Sequence, residues 1–267
     1  MLDTQAIYRG VRGRVLGVTW IALEGAANAR DVGGLPTVDG HRTRSGVLLR
    51  SDNLQGLTPG DVRVLLDRGL RTVVDLRTAT EVELEGPGPL RELDVAHHHL
   101  DLIPHGFEGR AALSRAVPDE DAPDHAIDHW YADYLTDAPA SVATALRLVA
   151  DPRSGAVLVH CAAGKDRTGV LVALALSLVG VTRDAVVADY ALSGERIAAV
   201  RDRLVASPTY APDVGKRTLD SMRPHAGNME RFLDRVDRDY GGVHGLASTI
   251  GVDEETVARL GRRLLDH

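Results

Sequence analysis

The chain reads as an α/β protein, a central mainly parallel sheet flanked by helices, on three observations. Short apolar, β-branched runs bounded by turn residues recur along it. Stretches with recognisable helix starts separate those runs. One such run, Ala156-Val157-Leu158-Val159, passes through a loop into Val170–Leu176, which is apolar almost all round, as a helix buried against a sheet would be. With 267 residues and 44% apolar content, the chain can bury a full core as one domain spanning 1–267.

The elements follow in order. Val18–Leu23 predicts a first strand, and Asn28–Gly34, closed by Gly33-Gly34, an irregular turn. Arg30 and Asp31 in that turn are expected as an ion pair, with support of a loop behind them as the alternative. Gly46–Leu49 predicts a second strand. Thr58-Pro59 opens a helix through Arg68, because Thr caps and Pro fits a first turn, and Gly69 ends it. Arg71–Leu76 is a third strand, whose carboxyl end delivers Asp75 and Arg77 to the edge where sites gather in open α/β sheets. Thr80–Glu85 is a short acidic helix and Leu93–Leu100 a further strand. Asp124–Thr136 and Pro139–Ala150 are helices leading to the strand at 156. Thr182 caps a helix through Tyr190. Residues 194–226 alternate helix (Gly194–Ala206, Asp213–Met222) with prolines, which suits a helical lid or an ordinary surface hairpin. Asn228–Tyr240, Gly242–Ile250 and Asp253–Leu265 complete the chain as packing helices.

The chemistry concentrates in His160-Cys161-Ala162-Ala163-Gly164-Lys165-Asp166-Arg167-Thr168-Gly169, between strand and helix. A helix start presents unpaired N–H groups and positive potential, a ready anion site. Cys161 stands at the entrance, where such surroundings favour thiolate. Arg167 closes the loop with a planar fork that matches two phosphate oxygens. With five residues between them, Ala162 to Asp166 can curl into a bowl of amides around a tetrahedral dianion, and Gly164 permits the positive φ this needs. Thr168 places a hydroxyl beside the sulfur to stabilise it as a leaving group. The arrangement suits attack on phosphorus, a phosphocysteine intermediate and hydrolysis by water; it calls for no metal or cofactor. Two alternatives fare worse. A nucleotide-binding loop needs Gly where Val159 stands and Ser or Thr where Asp166 stands. A buried Cys as a small hydrophobe leaves the agreement of strand, loop, Arg and helix unexplained.

The run His-Cys-x-x-Gly-Lys-x-Arg-Thr-Gly resembles the signature of the cysteine-dependent protein tyrosine phosphatase superfamily, and Asp166 makes it most similar to a bacterial group within it. Asn28–Gly34, Leu49-Arg50-Ser51, Asp75-Leu76-Arg77, Val187–Tyr190 and Tyr240-Gly241-Gly242 match the same group, from about Trp20 to the C-terminal helix. The resemblance implies a phosphatase-like fold and hydrolysis of phosphotyrosine. Phosphoserine, phosphothreonine or phosphoinositides are open as further substrates, since lipid-directed members also carry Lys at the place of Lys165. It further implies Asp166 as the acid that protonates the leaving oxygen, with Asp75 as second candidate. In many superfamily members that acid lies on an upstream loop, where this chain has His105. A phospho-ligand binding module without activity and a sulfurtransferase are the competing readings from other classes.

A net charge of −7 argues against nucleic acid as a partner. Cys161 is the only cysteine, so the chain holds no internal disulfide and suits a reducing compartment. No stretch reaches transmembrane length. The arginines before Val15-Leu16-Gly17-Val18 imitate a signal peptide, but Glu24 interrupts the apolar run, so the expectation is cytoplasmic, with export by another route open. His97 and His99, and His125 with His129 and Asp133, have spacings that could hold a metal; solvated positions are the better reading.

Overall fold

A computed structural model describes residues 19–103 and 126–266. Its sheet contains, in chain order, β1 Thr19–Trp20, β2 Arg30–Asp31, β3 Leu48–Ser51, β4 Leu70–Asp75, β5 Ala96–His99 and β6 Ala156–His160. Across the sheet the order is β1-β2-β3-β6-β4-β5. The four strands from β3 to β5 run parallel, and the two short N-terminal strands are antiparallel. The mainly parallel sheet flanked by helices is therefore present.

The strand β6 lies inside the sheet and is buried along its whole length, which is why its sequence is continuously apolar rather than alternating. Its side chains still alternate between two cores. Val157 and Val159 enter the larger, whereas Ala156 and Leu158 enter the smaller. The smaller core lies under α1 (Pro59–Asp67), with Leu65 fully buried. The larger core is built against α3 (Ala126–Asp137), α4 (Pro139–Ala150), α5 (Asp166–Leu178), α6 (Arg183–Leu192), α9 (Ala226–Tyr240), α10 (Val243–Thr249) and α11 (Glu254–Leu264). Helix α5 is buried nearly all round, as its composition predicts.

Both short helices on the β4 side start with a capping box: Thr58 with Asp61 in α1, and Thr78 with Glu81 in α2 (Ala79–Glu85). Several expectations are corrected. The second strand begins at Leu48, because Gly46 adopts a φ of +76° and its amide is held by Asp31 Oδ2. Arg30-Asp31, expected in a turn, is a strand too short to show a pattern. Arg30 bonds Asp189, and the Asp31 carboxylate instead accepts the Gly33 and Gly46 amides. Thr182 stands at the start of α6 without a side-chain capping bond.

After α6 comes a single 3-10 turn, then α7 (Ile197–Ala206) and α8 (Ala211–Val214). The helix expected over 213–222 stops at Val214. Gly215 is a poor helix former, and the Thr218 hydroxyl accepts the Ser221 amide, a local bond that competes with the helix. Val18, His105, His125 and the side chain of His129 lie outside the described residues.

Candidate active site

The loop 161–165 leaves the carboxyl end of β6 and enters α5, which begins at Asp166 rather than at 170. Asp166, Arg167 and Thr168 thus form the first helical turn. Gly164 has a φ of +65°, and a Cβ there would lie 2.3 Å from the Ser51 carbonyl oxygen, so only glycine fits.

Three successive carbonyls of the loop, Ala162, Ala163 and Gly164, are drawn outward. Ala162 O accepts the Asn53 amide at 3.0 Å. Ala163 O and Gly164 O accept Asn28 Nδ2 at 3.0 and 3.2 Å, and Gly164 O also accepts Arg50 Nη2 at 2.8 Å. In a planar trans peptide the N–H points opposite to the C=O, so the amides after these carbonyls turn inward. Asn28 and Arg50 are held in turn. Asn28 Oδ1 accepts Arg30 Nη1 at 2.7 Å, and the Asp189 carboxylate accepts Arg30 Nε at 3.0 Å and Arg50 Nη1 at 2.5 Å. Burial alone would raise the Asp189 carboxyl, but the two guanidiniums hold it below the usual range. Four stretches that the sequence marks separately, around Asn28, Arg50, Gly164 and Asp189, thus meet in one buried network.

Cys161, Ala162, Ala163, Lys165, Asp166 and Arg167 all line one cavity. Cys161 is 2% exposed. Arg167 is fixed from behind by a residue that sequence reasoning missed. Its Nη1 and Nη2 donate to Glu81 Oε2 at 2.5 Å and Oε1 at 2.9 Å, and Nη1 also donates to Leu76 O at 3.2 Å. Among the described residues that leaves Nε and one Nη2 hydrogen for a ligand. Burial opposes the Glu81 charge, but Arg167 holds the carboxyl below its ordinary range. The Thr78-x-x-Glu81 capping box was the available signal.

Asp166 Oδ1 accepts the Tyr131 hydroxyl at 2.5 Å, and Lys165 Nζ lies 3.5 Å from Oδ2. Lys165 Nζ also donates to Met222 O at 2.8 Å. Thr168 is fully buried, and its hydroxyl has no hydrogen-bond partner among the described residues.

Asp75 does not join these residues at the cavity. Arg77 Nη2 and Nε donate to its carboxylate at 2.5 and 2.8 Å, and His160 Nε2 lies 3.7 Å away. Burial works against its charge, yet His160 and Arg77 hold it well below the carboxylate range. Burial lowers His160 itself to about 4, against the pull of Asp75. The imidazole is therefore neutral at pH 7, where Arg77 does the holding.

The far wall comes from residues 204–222, with Leu204, Tyr210, Asp213, Val214 and Met222 facing the loop. Ala162 packs into an apolar cluster with Ile197, Val200, Leu204, Tyr210, Val214 and Met222. Arg203 on α7 ties this segment down, donating to Asp52 Oδ2 at 3.1 Å and Asn53 Oδ1 at 2.8 Å.

His99 Nε2 lies 2.8 Å from the Arg77 carbonyl. Among the described residues no group of three or more His, Cys, Asp or Glu could hold a metal ion, and no helix is long and apolar enough to cross a membrane.

A tyrosine phosphatase family model matches residues 21–266. The chain is 30% identical over 274 residues to the triple specificity protein phosphatase PtpB of Mycobacterium tuberculosis, covering 89% of this chain and 96% of that protein. It is 29% identical over 222 residues to a tyrosine-protein phosphatase of Nostoc commune, covering 81% and 73%. The crystal structure of TpbA from P. aeruginosa aligns over 68% of this chain and 88% of its own, at 21% identity and a TM-score of 0.35.

Proposed function

The chain belongs to the tyrosine phosphatase family, and from that premise we propose that it hydrolyses phosphate monoesters, protein phosphotyrosine first among them, through a phosphocysteine at Cys161. The observation that carries this is the shared cavity. A lone thiol, a guanidinium with free donors and a ring of inward amides line one space at a helix start.

Cys161 Sγ attacks phosphorus in line with the leaving oxygen. The inward amides at Ala163, Gly164 and Lys165, with Arg167, take the charge on the three equatorial oxygens. Glu81 presets the guanidinium, so little ordering remains when substrate arrives. Asp166 protonates the leaving oxygen as the P–O bond breaks. It then removes a proton from the water that attacks phosphorus and expels the Cys161 thiolate. The unpartnered Thr168 hydroxyl is available to stabilise that thiolate. Asp75, clamped by Arg77 away from the cavity, acts at most through His160.

Residues 194–226 serve as a lid on a single domain spanning 1–267, since they wall the cavity and cover Ala162. Lys165 favours phosphoinositides as a second substrate class. Among the described residues its one hydrogen bond is to the Met222 carbonyl of that segment, with the Asp166 carboxylate 3.5 Å away, so lifting the segment releases ammonium donors for a second phosphate. The substrates are phosphorylated proteins or phosphoinositides, and the chain works in the cytoplasm, where its single thiol stays reduced.

Release of phosphate from p-nitrophenyl phosphate tests the reaction. The wild type turns over, and Cys161→Ser loses at least about 10⁴-fold in kcat. Equal activity of the two would remove the nucleophile. Phosphotyrosine peptide and a phosphoinositide, offered separately, then decide between the substrate classes.

A further inference from the structure

The acid assigned above is one end of a directed chain of hydrogen bonds. Asp166 Oδ1 lies 2.5 Å from the Tyr131 hydroxyl, and that hydroxyl lies 2.8 Å from the hydroxyl of Tyr190. Both tyrosines are at most 1% exposed. Tyr190 is in turn hydrogen-bonded by Asn228, whose carbonyl oxygen already accepts Arg231 Nη2 at 2.7 Å. The Asn228 amide therefore presents its NH₂ group to Tyr190. Each hydroxyl has one proton to give, so the direction is fixed along the line. Asn228 donates to Tyr190, Tyr190 to Tyr131, and Tyr131 to Asp166 Oδ1.

We propose that Tyr131 is a positioning residue that reserves Oδ1 of Asp166 as an acceptor and so confines the acid proton to Oδ2. A proton on Oδ1 would face the Tyr131 hydrogen, and turning that hydrogen away would place it against the one from Tyr190. The chain has no slack to absorb either change in a buried site. Oδ2 is the oxygen beside Lys165, on the same carboxylate that lines the cavity. The proton thus sits on Oδ2, the oxygen that accepts no hydroxyl and lies beside the Lys165 ammonium, from which a leaving group takes it.

A second consequence concerns pH. Tyr131 donates directly into the acid, so removal of its hydroxyl is read in the pH dependence of catalysis. The other charged or titratable groups around this carboxylate are Lys165, Cys161, Arg167, Glu81, Tyr210 and Asp213, which line the same cavity, and the buried Tyr134 and Tyr190. None of them changes in a Tyr131→Phe protein. Burial first, and the Asp166 charge next, raise the Tyr131 phenol well above its ordinary range, so it remains a donor throughout the working pH.

This inference rests on Asp166 being the acid, and the experiment separates the two. The pH dependence of kcat is measured for a substrate with a poor leaving group in wild type, Tyr131→Phe, Tyr134→Phe and Asp166→Asn. Tyr134 is a buried phenol whose hydroxyl has no hydrogen-bond partner among the described residues, so its variant removes a hydroxyl without removing a bond to Asp166. Tyr131→Phe is expected to move the basic limb up by about one pH unit and to lower kcat at the optimum about tenfold, with good leaving groups less affected. Tyr134→Phe leaves the limb in place. If Tyr131→Phe lowers kcat without moving the limb, or moves it no further than Tyr134→Phe, the proposal is overturned while Asp166 stands. If Asp166→Asn keeps the limb and slows good and poor leaving groups equally, the acid itself is misassigned and the proposal goes with it.

Discussion

Gly164 shows how much a single residue can decide here. It takes a φ that side chains rarely adopt, with the Ser51 carbonyl where a Cβ would go. A Gly164→Ala chain must shift either the loop or β3, and it then loses the bonds that turn the loop carbonyls outward. We expect a loss of at least about 100-fold in kcat/KM on p-nitrophenyl phosphate and destabilisation of about 2 kcal/mol or more, read by activity and a denaturant melt. A near-wild-type enzyme would show that the inward amides matter little. The strand-loop-helix that brings Cys161 and Arg167 to one cavity, with Gly164 at a positive φ, was legible in the sequence from its spacing alone. Glu81 and Tyr131 were not, because each touches the loop only through tertiary contacts, across 86 and 35 residues. The Thr78-x-x-Glu81 capping box could have singled out Glu81 as a helix-start residue, but the Arg167 contact itself forms only in the fold.

At the scale of elements, the sequence placed the strands and helices of the sheet well. Their periodicities differ sharply, and the buried β6 and α5 are apolar for reasons visible in one dimension. It placed the 194–226 segment less well. Proline and glycine marked its breaks, but the end of α8 at Val214 is set by Gly215 and the local Thr218–Ser221 bond, and the packing of the segment on Ala162 is a tertiary contact that no local pattern announces. If that segment lifts to admit substrate, its tether controls access to the thiol. Arg203→Ala removes the bonds to Asp52 and Asn53. Alkylation of Cys161 by iodoacetamide should accelerate about fivefold, equivalent to about 1 kcal/mol of lost tether. An unchanged rate would mean that the segment does not open about this contact.

For the whole molecule, several buried groups bias stability toward neutral pH in the same sense. Burial keeps His160 neutral down to about 4. The unfolded chain binds that proton nearer 6.5, so acidification favours unfolding across the interval. Burial opposes the charges of Glu81 and Asp189, but their arginine partners depress both carboxyls. The stability those pairs give is present above the unfolded carboxylate values and is lost as pH falls through the folded ones. Unfolding free energy should therefore decline first with a slope of about 1.4 kcal/mol per pH unit for each such proton, then more steeply once carboxylates titrate. His160→Gln should flatten the first part of that curve, measured by urea melts from pH 7 to 4; an unaltered slope would place the proton uptake elsewhere.

Glu81 holds two posts at once. One of its oxygens accepts both the Thr78 amide that starts α2 and the guanidinium of Arg167. Unravelling of a single helical turn at 78–81 would therefore unlatch the anion grip from some distance along the chain. The readiness of the enzyme is thereby linked to the fraying of a seven-residue helix, whose amide protons would report, exchange event by exchange event, how often the grip lets go.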